Sequence, residues 1–232
     1  MRNLKVLGLA LLAVFSMATM MASAAQATPE TTTLTGTGGA TTAILTAEQQ
    51  TGGEQVFTVN TGAIKCPSVR IPETTVKLPA ETIEVHPEYG QTLKCKAFGF
   101  AATITTTGCN YLIHLTTGIQ EKITGQVTIL CSGANQIKVT NIGTNCVVTV
   151  GSQTILTDVV FDNTLDNVEP NKDDLDLTAE NLHSIEYTET GTECAKPGVT
   201  SKNGTYKGNT TIKGFVDNAE NKEGAQVGIL ID

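Results

Sequence analysis

The run FGFAATITTTGCNYLIHLTTGIQEKITGQVTILC, Phe98–Cys131, decides how the chain is read. Phe98, Phe100, Ala102 and Ile104 alternate with small or polar residues. So do Cys109, Tyr111, Ile113 and Leu115, and again Val127, Ile129 and Cys131. A period of two puts every second side chain on one face of a half-buried strand. With Cys109 opposite Cys131, Tyr111 faces Ile129 and Ile113 faces Val127. The turn then falls at Gly118–Lys122, an allowed hairpin length. Both cysteines lie on the apolar face of that hairpin, which predicts a Cys109–Cys131 bridge.

The same alternation recurs outward from this hairpin, at 55–60, 63–66, 82–85, 136–140, 146–150, 154–161, 174–177 and 226–231. His183, Ile185 and Tyr187 form one face of a further strand, and Asn203-Gly204 reads as a turn before a strand over 205–216. Threonine, β-branched and suited to a pleated surface, is abundant, and 22 glycines supply turns. Pro67, Pro72 and Pro79 argue against central sheet for their segment. Helix signals are nearly absent; 46–50 makes at most one turn, with Thr46 as its cap. No helices alternate with strands, which disfavours a parallel α/β scaffold. The expected fold is all-β, an antiparallel β-sandwich or irregular barrel of many short strands, stapled by disulfides.

The N-terminus sets the compartment. Arg2 and Lys5 precede an apolar run over 7–21, and Ala22-Ser23-Ala24 and Ala25-Gln26-Ala27 are small-x-small cleavage sites. This is the pattern of a secretory signal peptide over 1–27. The run is short for a membrane span, and no second apolar stretch approaches the length of one. Residues 28–53 read as a Thr/Gly-rich lead-in with one short strand at 41–45, and 54–232 as an all-β domain. Any subdomain junction falls in the loop-like 162–172.

Losing Arg2 and Lys5 leaves 13 basic against 23 acidic side chains, a net charge of −10. Such a chain repels phosphates, which argues against nucleic acid and against anionic membranes as partners. Aromatics make up 4% of the chain and Trp is absent. That counts against the aromatic platforms on which sugar clefts and peptide grooves rely.

The six cysteines, Cys66, Cys95, Cys109, Cys131, Cys146 and Cys194, all follow the leader and form no C-x-x-C pair. In an exported chain this even number reads as three disulfides rather than a metal site. Beyond Cys109–Cys131, spacing does not choose among pairings; Cys66–Cys95 and Cys146–Cys194 are what remain. His86, His114 and His183 are too far apart in sequence for a metal pair, and no G-x-S-x-G elbow occurs. His114 falls on the face opposite Tyr111, Ile113 and Leu115. Asp162, Asp166, Asp173, Asp174 and Asp176 (with Glu169) are the one acid-dense stretch able to offer oxygens to calcium. They match no EF-hand spacing, and a solvated strand edge explains them as well. Thr103, Thr105 and Thr107 share one strand face, as do Thr31, Thr33 and Thr35. Ice binding by such rows needs a fixed-length repeat, which is not present. Asn203 and Asn209 sit in glycosylation triplets.

Three segments carry a resemblance: VFTVNTGAIKC at Val56–Cys66, HPEYGQTLKCKAFGFAATITTTGCNYLIHL at His86–Leu115, and NGTYKGNTTIKG with AQVGILI near the C-terminus. With its Gly-Cys-x-Tyr and Asn-Gly-Thr-Tyr elements, the chain resembles a family of secreted, Cys-containing, β-rich proteins of soil actinobacteria. The segments at Pro67–Pro79 and Glu169–Asp176 depart from the commoner pattern. The resemblance implies a bacterial exported protein, in which the glycosylation triplets are irrelevant. That family has no assigned function, so no catalytic, cofactor or ligand residue carries over. The expectation is a secreted or cell-surface protein without cofactor, with a non-catalytic structural or binding role. The alternative is a module adhering to extracellular polysaccharide or peptide, with a secreted hydrolase third. The expected class of partner is a cell-envelope polysaccharide or protein.

Overall fold

The computed structural model describes residues 32–116, 122–162, 175–216, 226–227 and 229–231. Its strands, in chain order, begin with β1 (Leu34–Gly36), β2 (Thr42–Gln49), β3 (Gln55–Thr58), β4 (Ala63–Cys66), β5 (Val69–Lys77) and β6 (Thr82–Val85). Next come β7 (Glu88–Tyr89), β8 (Cys95–Ala97), β9 (Phe100–Thr105), β10 (Cys109–Leu115), β11 (Lys122–Cys131) and β12 (Ile137–Asn141). The last are β13 (Val147–Val150), β14 (Gln153–Asp162), β15 (Leu175–Thr190), β16 (Thr200–Val216), β17 (Gln226–Val227) and β18 (Ile229–Ile231). The expected hairpin forms in the expected register: Cys109↔Cys131, Tyr111↔Ile129, Ile113↔Val127.

β15 and β16 are 16 and 17 residues long and pair with each other from Leu175↔Ile212 to Thr188↔Thr200. Strands about three times the usual length can serve two tiers of sheet at once. In one tier β15, β13, β12, β9, β8, β4, β3 and β16 pair in that order and β16 returns to β15, closing an eight-stranded antiparallel barrel. In the other, β14, β11, β10 and β6 extend from β15, and β2, β5 and β7 extend from β16. β6 and β7 are pieces of one run interrupted at His86-Pro87, so the two arms of outer strands meet there.

The tiers share chain as well as strands. β2 runs into β3, β4 into β5, β7 into β8, β9 into β10, β11 into β12 and β13 into β14, through joints of two to five residues. These joints form a waist, where each run passes from one tier to the other. Two disulfides clamp it. Cys66 at the end of β4 bonds Cys95 at the start of β8, and Cys109 at the start of β10 bonds Cys131 at the end of β11. The third, Cys146–Cys194, ties the start of β13 to the loop after β15 at the far end of the barrel. All six cysteines are therefore paired. Inward-facing Val, Ile, Leu and Ala from both tiers form one continuous core. β1 pairs with β18, and its Leu34, fully buried, is bridged to Ala80.

Several local expectations are corrected. Residues 46–49, expected as a helical turn, continue β2, because both their edges are taken, by β16 and by β5. The lead-in therefore holds an eight-residue strand of the outer tier. Pro72 sits inside β5, where the register against β2 slips between Leu45 and Ala47, a bulge that needs no ladder N–H from it. Phe98 and Gly99, both with positive φ, make the β8–β9 turn; Phe98 does not share a strand with Phe100, whose ring is largely exposed. His183 faces outward, away from Ile185 and Tyr187, because register shifts flank it and Ser184 has φ 63°. Asn203-Gly204 is no turn but the middle of β16. A Cβ on Gly204 would lie 2.8 Å from the Ile185 carbonyl oxygen and 3.0 Å from the Phe57 ring. The glycine thus serves close approach of backbone and ring. The expected turns at 118–121 and 218–224 and the junction at 163–172 lie outside the described residues.

Gly204→Val should lower the unfolding free energy by about 1–3 kcal/mol, whereas Gly151→Ala, with no atom nearer than 3.7 Å, should change it by less than about 0.5 kcal/mol. Replacing Cys109 and Cys131 together by Ser should lose about 3 kcal/mol. Urea unfolding of the oxidised protein measures all three.

Candidate functional site

The waist is apolar outside its joints but carries a polar chain through its interior. Gln49 ends β2, Gln55 opens β3, and Asn209 faces both from β16. Gln49 Nε2 and Gln55 Nε2 donate to the Asn209 backbone carbonyl, at 2.9 and 3.0 Å. A carbonyl oxygen only accepts, so both amides have a fixed orientation. Gln55 Nε2 donates also to Gln49 Oε1 at 2.6 Å, and Gln49 Nε2 to Asn209 Oδ1 at 2.9 Å. Gln55 Oε1 is thereby left to accept, and the Tyr206 hydroxyl donates to it. Gly208 makes room: any side chain there would overlap the Gln55 amide.

Tyr206 has two phenols beside it. The Tyr89 and Tyr111 hydroxyls are 2.9 Å apart and hydrogen-bonded, and Tyr89 lies beside Tyr206. Tyr206 donates to Gln55 Oε1, and between Tyr89 and Tyr111 either hydroxyl can donate. Burial pushes all three phenols well above their ordinary range, and the neighbouring phenols push each further. They stay neutral and act as hydrogen-bond donors across the whole physiological range.

These side chains border a cavity of 140 Å³ running through the waist. Apart from Thr210 its wall is otherwise apolar, drawn from both tiers, with Ile64, Ile104, Val139 and Ile185 on one side and Val85, Ile113, Val127 and Val159 on the other. Among the described residues no Asp, Glu, Lys, Arg or His lines it. Pro87, at the interruption between β6 and β7, is part of the wall.

A second buried polar set closes the far end of the barrel. Glu189, with no exposed surface, accepts from the Thr61 N–H at 2.9 Å and the Lys196 N–H at 3.4 Å. Tyr187 packs edge-on to Phe57, accepts from the Asn60 N–H at 2.7 Å and donates to Asn203 Oδ1 at 3.0 Å. Both tie the β3–β4 turn to β15; Tyr187 reaches on to β16 and Glu189 to the loop carrying Cys194.

The residues singled out in the sequence do not converge. His86 Nδ1 donates to the Cys109 carbonyl at 3.0 Å, bracing the meeting point of the two arms. His114 lies on the outer face of β10, its Nε2 3.5 Å from Thr128 Oγ1. His183 is exposed. Asp162 and Asp176 are paired across β14 and β15, and Asp176 accepts from Thr211 Oγ1 at 2.7 Å. Asp166, Asp173 and Asp174 lie outside the described residues. Among the described residues no three His, Cys, Asp or Glu side chains come close enough to hold a metal ion. Asn203 Nδ2 and Asn209 Nδ2 are committed to Asn60 and Gln50.

Sequence reasoning placed Tyr111 on the inner face but missed Tyr89, Tyr206, Gln55, Gln49 and Asn209. A signal was present: the four tyrosines are a large share of a small aromatic complement. A phenol facing a core needs a partner for its hydroxyl.

The fold and its interior define a class, a disulfide-stapled antiparallel barrel with outer strands and an apolar central cavity. No protein-family model matches the chain, and no curated protein and no solved structure matches it. Among the described residues no helix is long and apolar enough to cross a membrane.

Because the phenols ionise less readily folded than unfolded, their stabilisation is complete below the unfolded pKa of about 10 and declines as pH rises beyond it. Each phenol still protonated in the native state should steepen the loss by about 1.4 kcal/mol per pH unit. Urea unfolding followed from pH 8 to 11 should show the decline, and Tyr89→Phe should make it shallower. Tyr206→Phe, which leaves Gln55 Oε1 unpaired, should cost about 1–3 kcal/mol at pH 7.

Proposed function

We propose that this protein is exported and acts outside the cytoplasm as a non-catalytic module, structural or binding, at the cell surface or beyond. The observation that carries this reading is the use of every cysteine in three bridges, two at the waist on which both tiers depend. A fold stapled in this way suits an oxidising compartment, and the leader over 1–27 supplies the route. Resemblance to secreted actinobacterial proteins points the same way. The three histidines lie on separate elements and the polar interior is occupied with its own bonds, which favours binding or structure over catalysis.

One observation favours the alternative, adhesion to an extracellular polysaccharide or peptide. On the outside of the barrel Thr105, Lys138, Thr149, Thr188 and Thr200 stand opposite one another across five strands. This row, at least partly exposed along its length, offers threonine hydroxyls on four strands, with Lys138 between Thr105 and Thr149; neighbouring strands stand about 4.8 Å apart, a spacing suited to the hydroxyls of an extended sugar chain.

The deciding experiment is the intact mass of the protein recovered from medium or envelope, before and after alkylation without reductant. The expected species begins at Thr28, is six hydrogens lighter than the reduced chain and takes up no alkyl group. A full-length, alkylatable chain confined to the cytoplasm would sink the proposal. If the threonine row binds polysaccharide, replacing Thr149 and Thr188 by Val should weaken retention on purified envelope glycan about tenfold, with the melting temperature unchanged.

A further inference from the structure

Natural cores are filled to crystal-like density and keep few voids larger than a water molecule. Here a 140 Å³ cavity persists at the waist, although six of its lining side chains are valine, and Ala179 and Gly208 are smaller still. One or two larger side chains would close it. An apolar cavity of about this size stays dry and accommodates a single benzene-sized ring. No charged side chain among the described residues lines the wall, which disfavours an ionic occupant, whose desolvation those residues would not offset.

The wall is not uniformly apolar. Tyr206 donates to Gln55, Tyr89 lies beside Tyr206, and the Tyr89 and Tyr111 hydroxyls are hydrogen-bonded at 2.9 Å. Tyr111 stands at the far end of the row and lines the cavity. Tyr89 is its one hydrogen-bond partner among the described residues. A phenol hydroxyl can both donate and accept, so Tyr111 keeps capacity for a further bond at the cavity wall.

We propose that the waist cavity is a binding site for a small, uncharged ring compound bearing a hydroxyl, such as a phenol or a cyclic alcohol, whose hydroxyl hydrogen-bonds the Tyr111 hydroxyl while its ring fills the apolar space. The site selects for neutral molecules and for a hydroxyl-bearing ring over a plain one. Entry is through the interruption at His86-Pro87. The ladder is broken there, Pro87 has no N–H to contribute, and both Val85 and Pro87 line the cavity. The inference goes beyond the proposed function: it holds for the folded, oxidised chain in any compartment, and its test on purified protein is independent of the export experiment.

The probes are phenol and benzene, added to the oxidised full-length chain with isotope-labelled Ile and Val methyls at pH 7. Phenol is expected to bind one to one at millimolar concentration or below, shifting the methyls of Ile129, Val139 and Val150. Tyr111→Phe should weaken phenol about tenfold and leave benzene within a factor of two. Ala179→Leu fills the cavity and should abolish both. Should that variant fail to fold, Val150→Leu replaces it. The proposal is overturned if phenol leaves the interior methyls unmoved, or if the folded, filled variant binds as the parent does. It is equally overturned if Tyr111→Phe weakens phenol no more than benzene, since the hydroxyl would then have no receptor.

Discussion

Everything in this molecule depends on the pairing of β15 with β16 along their whole length. A sheet edge is a row of unpaired N–H and C=O groups, and closure is the one arrangement that removes it. Here closure is accomplished once, in the barrel, by a hairpin long enough to overrun it. The overrun then presents two fresh edges, and the outer strands grow from them. Gly204 and Gly208 let the hairpin pass the waist at close quarters, one against the Ile185 backbone and the Phe57 ring, the other against Gln55. The shifts between Ala179 and Tyr187 bend β15 to follow.

The waist is where that design meets its physical difficulty. Six chain runs break there between tiers, so ladder bonds are interrupted around the ring. Two disulfides and the Gln49–Gln55–Asn209–tyrosine network hold the level at which sheet pairing is weakest. The same breaks keep the interior from being filled: side chains on either side of a joint point inward from different strands and cannot interdigitate as they would along a continuous pleat. A cavity bounded by a row of phenols results. Stability and binding capacity have one origin in this fold, because the groups that close the waist are also those that line it.

Much of the architecture was legible in local pattern. The Cys109–Cys131 hairpin could be read to the residue, since parity and two cysteines on one face leave a single register that buries Tyr111, Ile113, Val127 and Ile129 together. Strands β3, β4, β6, β12 and β13 were read within a residue or two for the same reason. Besides the facing of His183 and the Phe98 turn, the misreadings were of one kind. Asn203-Gly204 looked like a turn, Thr46–Gln50 like a helical turn and Pro72 like a break in the sheet. In each case a residue that usually ends a strand was held inside one by neighbours distant in sequence: Ile185 and Phe57 for Gly204, β16 and β5 for residues 46–49, the slip against β2 for Pro72. Propensity is a weak prior beside such pairing.

By itself, then, the sequence determined that the chain is β-rich, that its cysteines bridge, and which residues face inward on the Cys109–Cys131 hairpin. These are matters of period two, of composition, and of two side chains sharing a face, and all are local. Only the tertiary structure decided that the sheet closes, that two tiers share a waist, and that Tyr89, Tyr111, Tyr206, Gln55 and Asn209 meet there. Those residues lie up to 154 positions apart, and nothing in the spacing of any one of them anticipates the others. Their meeting follows from which strand edges pair, a choice made by the whole barrel at once when it satisfies every backbone group in a closed ring.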